Sequence, residues 1–183
     1  TVSGTTISFG SAVQFDSLIA YDSAMTFDSN TNKIVIVYSY VSGSIRRGTA
    51  IVGTVSGTSI SFGSKVIFEF SDTRETNVAF DSVANKIIVV YRDGGNSNYG
   101  TAIVGTVSGT TISFGTPAVF ESASTSIPCV AFDPIANKSV IAYADAGNSS
   151  RGTVITGTIT GTSLSFDSPS VFSGTSTVIM GSA

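Results

Sequence analysis

The stretch GTVSGTTISFG, residues 105–115, decides the fold because the chain repeats it. A near copy, GTVSGTSISFG, occupies residues 53–63, and TVSGTTISFG opens the chain at residues 1–10. A diverged copy, GTITGTSLSFD, occupies residues 157–167. Successive copies are 53, 52 and 52 residues apart. This spacing predicts a tandem repeat of about 52 residues, present in about 3.5 copies.

Each repeat contains four short apolar segments separated by turn residues. In the second repeat these are NVAF (77–80), KIIVVYR (86–92), TAIVGTV (101–107) and TISFGTPAVF (111–120). The Gly and the Pro inside the fourth segment predict a bend or bulge in that strand. Apolar spacing of three and four residues, which would indicate a helix, does not persist. The chain is therefore predicted to be all-β.

The second segment of the repeat is apolar on both faces of a strand. Ile87, Val89 and Tyr91 point one way, and Ile88 and Val90 point the other. A four-stranded sheet that is covered on both faces and recurs every 52 residues is typical of a β-propeller built from antiparallel blades. A β-helix has a shorter repeat, and a sandwich domain needs about 100 residues. The recurring Tyr38, Tyr91 and Tyr143 are expected to pack between blades.

The prediction is one β-propeller domain, or part of one, over residues 1–183. The expected blades are 24–70, 76–120 and 128–172, and the expected partial blades are 1–16 and 174–183. Because the sequence begins in the middle of a repeat, we expect further blades from a longer array, or a ring closed by another copy of the chain.

The stretch AFDPIANKSVIAYAD, residues 131–145, resembles the first two strands of YVTN-type and related β-propeller repeats, including the sialidase-like blade pattern. The near-identical copies rich in Gly, Ser and Thr also resemble repeat arrays of phage and bacterial surface proteins, such as tail-associated fibres. These resemblances imply a propeller with a structural or adhesive role at a cell or virion surface. The sialidase Asp box, the Trp-Asp pair of WD40 blades and the integrin-type calcium loop are all absent from the sequence.

The composition argues against several classes of partner. Nine Lys and Arg against twelve Asp and Glu give a net charge of −3, and only 11% of residues are charged. Without a basic cluster, nucleic acid is not an expected partner. No apolar run approaches the roughly 18 residues of a membrane span, so membrane insertion is not expected.

The sequence offers little for catalysis. It has no His, so the chain by itself cannot form a catalytic triad or a metal site that uses an imidazole group. Asp28, Asp81 and Asp133 follow the same Phe of each repeat and are expected to cap their own turns. The loops at 93–98 and 145–150 have one Asp each, which favours turns over metal sites. No catalytic residue, metal or cofactor is predicted.

The two ends of the predicted blades differ in how strictly they repeat. One end carries near-copied turns, and the other carries variable loops within and between blades. Because loops on a rigid scaffold often bind ligands, we expect the variable end to recognise a glycan or a protein. The candidate residues are Arg47, Asp72, Arg74, Glu75, Asp93, Asn96, Tyr99, Glu121, Asp145, Asn148 and Arg151.

The sequence therefore favours a non-catalytic structural or adhesive propeller, located extracellularly or on a cell or virion surface. The alternative is a glycosidase-like or lyase-like propeller enzyme with part of its site outside this stretch. A carboxylate pair or an Arg cluster converging in the central channel would favour the enzyme. A purely architectural filament without a ligand is the third interpretation.

Overall fold

The computed structural model describes residues 2–7 and 9–176, so predictions for residues 1, 8 and 177–183 lie outside it. The strands are β1 (Val2–Ser3), β2 (Thr6–Ile7), β3 (Ala20–Asp28), β4 (Lys33–Ser42), β5 (Ile45–Ser56), β6 (Ser59–Phe62), β7 (Val66–Glu69), β8 (Thr73–Asp81), β9 (Lys86–Asp93), β10 (Tyr99–Ser108), β11 (Thr111–Phe114), β12 (Ala118–Asp133), β13 (Lys138–Asp145), β14 (Arg151–Thr160), β15 (Ser163–Phe166) and β16 (Ser170–Ser176). The described residues contain no α-helix, which confirms the all-β prediction.

All strand pairing in the described residues is antiparallel. β1 and β2 form a two-stranded sheet, β3 to β7 a five-stranded sheet, and β8 to β16 one nine-stranded sheet. Along the chain, the two larger sheets divide into three repeated units. In the first unit β3, β4 and β5 pair in order, and both β6 and β7 pair with β5. The second unit repeats this with β8, β9, β10, β11 and the start of β12. The third uses the rest of β12 with β13 to β16. The outer strand is thus broken in two, as the Gly and Pro predicted.

The boundary between the second and third units differs from the prediction. Residues 121–127 were expected to form a loop between blades 76–120 and 128–172, but β12 runs continuously from Ala118 to Asp133. Its first part pairs with β10 and its second part with β13, so one strand serves both units. The strand accommodates this change by a register shift between Ser126 and Cys129.

The first strand of every unit carries a bulge in the same place. Asp22, Glu75 and Ile127 have φ angles of 50°, 54° and 48° at the register shifts of β3, β8 and β12. A left-handed conformation is uncommon for residues other than Gly, and a β-branched residue such as Ile127 is an outlier there. The fold itself therefore imposes the bulge in all three units.

The units pack face to face through the second strand, as its two apolar faces predicted. Ile87, Val89 and Tyr91 belong to a cluster shared with the first unit, and Ile88 and Val90 to one shared with the third. All five side chains have no exposed surface. The second strand of the middle unit is therefore covered on both faces, by the first unit and by the third.

A short segment that we call the junction strip precedes each of the three units and packs against it. The strips are Gly10–Asp16, Gly63–Glu69 and Gly115–Glu121, and all three have the form Gly-x4-Phe-acid. The Phe rings of the strips lie 5.1–5.3 Å from the ring of the buried Tyr in the next unit: Phe15 from Tyr38, Phe68 from Tyr91, and Phe120 from Tyr143. The predicted packing role of these tyrosines is confirmed.

The acidic residue of each strip accepts a hydrogen bond from the same Tyr hydroxyl. The oxygen–oxygen distances are 2.7 Å for Tyr38 to Asp16, 3.4 Å for Tyr91 to Glu69, and 3.0 Å for Tyr143 to Glu121. Burial and the neighbouring carboxylate raise the pKa of each of these tyrosines. The hydroxyl therefore stays protonated and serves as the donor.

The Gly of each strip permits a close approach to the following unit. A Cβ at Gly63 would lie 1.8 Å from the carbonyl oxygen of Thr110, and one at Gly115 would lie 2.3 Å from that of Thr162. A Cβ at Gly10 would lie 1.8 Å from the carbonyl oxygen of Thr58. We call the surface that receives a strip, formed by this Thr, the buried Tyr and a Phe of the outer strand, the receiving groove.

Candidate functional site

The two ends of the sheet units are built differently. At one end, which we call the turn end, Asp28, Asp81 and Asp133 each accept two backbone N–H bonds from the turn that follows. This confirms the predicted capping role of these aspartates. The other turns of this end are closed by glycines with positive φ: Gly57, Gly109 and Gly161.

The opposite end, which we call the loop end, carries the connections between second and third strands. In the second and third units these are short 3₁₀ turns, Gly94–Asn96 and Ala146–Asn148, instead of the predicted plain β-turns. In the first unit β4 and β5 extend into a hairpin that pairs Ser42 with Ile45 around Gly43, which has a φ of 68°. The first unit therefore presents a different surface at this end.

Three of the predicted site residues occupy one equivalent position. Arg47, Tyr99 and Arg151 lie at or near the start of the third strand, opposite residues 40, 93 and 145. The Arg47 guanidinium lies 5.7 Å from the centre of the Phe70 ring, and its Nε is buried without a hydrogen-bond partner. Arg151 is exposed and donates to Asn148 Oδ1 at 3.3 Å. This row of planar, hydrogen-bonding side chains follows the loop end across all three units.

The predicted residues Asp72, Arg74 and Glu75 make bonds within the protein. Asp72 accepts from Arg46 N at 3.0 Å and from Arg74 Nε at 2.7 Å. Burial by itself would raise the pKa of Asp72, but these bonds lower it overall. Asp72 therefore ties the connection between the first two units to β5.

Glu75 joins the second unit to the third. Its Oε1 accepts from Arg92 Nη1 at 3.1 Å, and its Oε2 accepts from the backbone N–H of Ile127 at 2.5 Å. The backbone N–H of Val130 also donates to Asn77 Oδ1, at 3.3 Å. These bonds hold β8 beside β12, so the carboxylate of Glu75 is already engaged in holding the units together.

Asp93 and Asp145 precede the two 3₁₀ turns, and Asn96 and Asn148 are the last residues of these turns. Asp93 Oδ1 accepts from Gly95 N at 2.9 Å, and burial together with Glu69 raises the pKa of Asp93. Asp145 has no equivalent bond, and its Oδ1 is buried without a partner. Asn96 is exposed. The two loops have the same shape, but only Asp93 accepts a backbone hydrogen bond from its turn, and Asp145 does not.

The last predicted residue, Glu121, lies in the junction strip. Its Oε1 accepts from Ala123 N at 3.0 Å, and its Oε2 accepts from the Tyr143 hydroxyl. Both carboxylate oxygens therefore have partners inside the protein. The structure brings Glu121 to a junction and not to the row formed by Arg47, Tyr99 and Arg151.

Sequence reasoning missed an apolar pocket at the loop end of the first unit. Leu18, Ile19, Tyr21 and Val41 line a space of about 290 Å³. The guanidinium of Arg46 lies 4.1 Å from the centre of the Tyr21 ring. The equivalent positions are Ser71, Asp72, Arg74 and Gly94 in the second repeat, and Ala123, Ser124, Ser126 and Ala146 in the third. Comparing the repeats residue by residue would have shown this local change.

A larger groove of about 780 Å³ lies between the first strands of the three units. It is lined by Ser23, Ala24, Met25, Thr26, Asn77, Val78, Ala79, Phe80, Val130, Ala131 and Phe132. None of these lining residues carries a charge. In the first two units, the charged residues Asp22, Arg74 and Glu75 lie just before these stretches in the sequence.

The described residues form neither a metal-binding cluster nor a helix that could cross a membrane. Residues 2–7 and 9–176 contain no cluster of three or more His, Cys, Asp or Glu side chains arranged to hold a metal ion. In the same part of the chain, no helix has the length and apolar character needed to cross a membrane. Cys129 is half-buried in β12, and burial raises the pKa of its thiol.

No protein-family model matches the chain, and no curated protein is significantly similar to it in sequence.

Proposed function

We propose that the chain is a β-propeller, or a sector of one, that acts as a non-catalytic structural or adhesive module. In this proposal its loop end recognises a glycan or a protein surface. The observation that carries the proposal is the division of the molecule into two kinds of end. The junctions and the turn end repeat from unit to unit, whereas the loop end of the first unit differs from that of the other two.

The arrangement of first strands supports a propeller. β8 lies beside both β3 and β12, and the three strands line one groove. In each unit the chain then proceeds outward through the second, third and broken outer strands. Radial units that share a central groove are how propeller blades are arranged. Under this proposal the groove is one sector of a central channel, and further blades from the same or another copy complete it.

The chemistry of the groove supports a role without catalysis. A propeller enzyme of glycosidase type would bring paired carboxylates or clustered guanidinium groups into the channel. The groove lining here is apolar, amide or hydroxyl in character. The acidic bulge residues beside it are engaged, since Asp22 pairs with Arg46 at 3.3 Å and Glu75 pairs with Arg92.

The row of Arg47, Tyr99 and Arg151 supports recognition at the loop end. Guanidinium and phenol groups offer flat surfaces together with hydrogen-bond donors, which suits both sugar rings and protein surfaces. The apolar pocket of the first unit adds a site for a non-polar group. With a net charge of −3 and scattered cations, the surface does not favour nucleic acid. In this proposal the chain is exposed on a cell or virion surface and does not insert into a membrane.

A binding experiment tests this function. The wild-type chain, a triple variant with Arg47→Ala, Tyr99→Ala and Arg151→Ala, and a turn-end control are compared on a glycan array and on a panel of surface proteins. The control carries Val83→Ser and Ile135→Ser, two exposed turn-end positions. We expect a ligand whose affinity falls at least about tenfold in the triple variant, equivalent to about 1.4 kcal/mol, and stays unchanged in the control. Loss of binding in the turn-end control alone would overturn the proposal.

A further inference from the structure

The strip Gly10–Asp16 makes junction contacts without belonging to a four-stranded sheet of its own. The described residues before it form only the paired strands β1 and β2, and residues 9–19 contain no strand. The other two strips lie on the outer strands of complete units. Gly10–Asp16 is therefore a linear segment bound on the first unit.

This linear strip nevertheless makes every type of contact seen at the other junctions. Phe15 lies 5.2 Å from the Tyr38 ring and 6.1 Å from the Phe62 ring. The Tyr38 hydroxyl donates to Asp16 at 2.7 Å, and the Asp16 side chain is only 3% exposed. The recognition of a strip therefore does not require a sheet behind it.

The first receiving groove also has a cation that the other two grooves lack. Lys65 Nζ lies 2.9 Å from Asp16 Oδ2 and 3.2 Å from Oδ1, and it stands 4.5 Å from the centre of the Tyr40 ring. Prolines, Pro117 and Pro169, hold the equivalent position in the other repeats. The first groove is thus suited to hold an acidic strip by its own side chains.

The corresponding strip of the third unit does not fit such a groove. Asp167 replaces the Gly, and Ser173 replaces the acidic residue. Asp167 is instead bonded to Lys138 Nζ at 2.8 Å and to Thr156 Oγ1 at 2.6 Å. Any side chain at the Gly position would meet the carbonyl oxygen of the receiving Thr, so this strip is a poor ligand. Among the described residues, Gly10–Asp16 is therefore a complete strip that lies in no strand.

We propose that the receiving groove of the first unit is an interaction site for a second copy of this chain, which docks by its own Gly10–Asp16 strip. The second copy's strip makes the same ring, carboxylate and Gly contacts as the strip in cis, and it replaces that strip. Residues 17–19, between the strip and β3, are the connection that must move. Because the cis strip has the advantage of high effective concentration, exchange is expected at high protein concentration or on warming.

The first experiment measures whether the groove binds a strip in trans. The full chain carrying Phe15→Ala and Asp16→Asn is titrated with a synthetic peptide of residues 9–18. We expect the peptide to raise the unfolding midpoint of this variant by about 5 °C or more at saturation. A peptide carrying the same two substitutions should give no shift. If the double variant does not fold, Asp16→Asn alone is used. A folded variant that binds neither peptide would overturn the proposal.

The second experiment tests the second copy itself. A tagged chain with Phe15→Ala and Asp16→Asn is warmed with untagged wild-type chain, cooled and recovered by its tag. We expect the wild-type chain to be recovered with it, at least about tenfold above an untagged chain carrying the same two substitutions. Equal recovery of both untagged chains would contradict docking by the strip, even if the peptide binds.

Discussion

The hydroxyl of Tyr143, on the third sheet unit, donates a hydrogen bond at 3.0 Å to Glu121 Oε2, on the second. The two residues are 22 positions apart, and the same separation joins Tyr38 to Asp16 and Tyr91 to Glu69. A fully buried phenol of each unit thus meets the acidic side chain of the junction strip that precedes that unit. Each of these contacts therefore combines a polar hydrogen bond with an apolar contact between aromatic rings.

Replacing Tyr143 by Phe keeps the ring and removes the donor. Glu121 Oε2 then loses its partner in a partly buried site, which costs about 1–3 kcal/mol. Glu121 retains some exposure, so we expect the lower part of this range, with a midpoint about 2–4 °C lower in thermal unfolding. Tyr99→Phe is the matched control, because that hydroxyl has no hydrogen bond within the described residues. Equal midpoints for the two variants would show that the bond contributes nothing.

Replacing Gly63 by Ala tests the close approach of the junction strip to the next unit. The added Cβ would lie 1.8 Å from the carbonyl oxygen of Thr110, so backbone must shift. Overpacking of this kind costs about 1–3 kcal/mol, seen as a lower denaturant midpoint with an unchanged slope. Gly174→Ala is the control, since a Cβ there meets nothing within 4 Å. A Gly63→Ala variant as stable as this control would refute the assigned contact.

Asp16 should make stability depend on pH in the acid range. Burial by itself would raise the pKa of Asp16, but bonds from Leu18 N, Lys65 and Tyr38 outweigh it and lower the pKa. A lowered pKa in the folded state gives stability that is complete above the unfolded value of about 4 and is lost as pH falls through the folded value. The difference in midpoint between wild type and Asp16→Asn should therefore be largest near pH 7 and shrink below about pH 4. A difference that is constant from pH 7 to pH 3 would contradict this.

Asp93 should behave in the opposite way. Burial and the charge of Glu69 raise its pKa, so its ionised form is the less favourable one in the folded protein. Asp93→Asn keeps an oxygen to accept from Gly95 and removes the charge. We expect this variant to be more stable than wild type at pH 7, with the gain disappearing below the unfolded pKa of about 4. The measurement is thermal unfolding over the same pH series, and a destabilised variant at pH 7 would refute the prediction.

The sequence predicted the parts of the fold that depend on local pattern. Alternation in Ile87 to Tyr91 gave the two buried faces, and the position of Asp81 gave the turn. The bulges at Asp22, Glu75 and Ile127 could not be predicted, because these three residue types share no sequence signal for a left-handed φ.

The candidate site was predicted less well because sequence does not give hydrogen-bond partners. Asp72, Glu75 and Glu121 have the charge expected of binding residues, yet each one connects two units. A signal for Glu121 was present, since an acidic residue follows a Phe in each of the three strips. The apolar pocket near Tyr21 was also visible as a local departure from the repeat.

The junction strip and the receiving groove have a consequence for how such a chain can change its length. Each of the first two units contains one groove for the strip behind it and one strip for the unit ahead. An in-frame duplication of one internal period therefore creates a new junction in which both halves are already present. Gain or loss of a period between the first and third units leaves Lys65 of the first unit and Asp167 of the third unit unchanged. Copy number can thus drift by recombination without a new interface having to evolve.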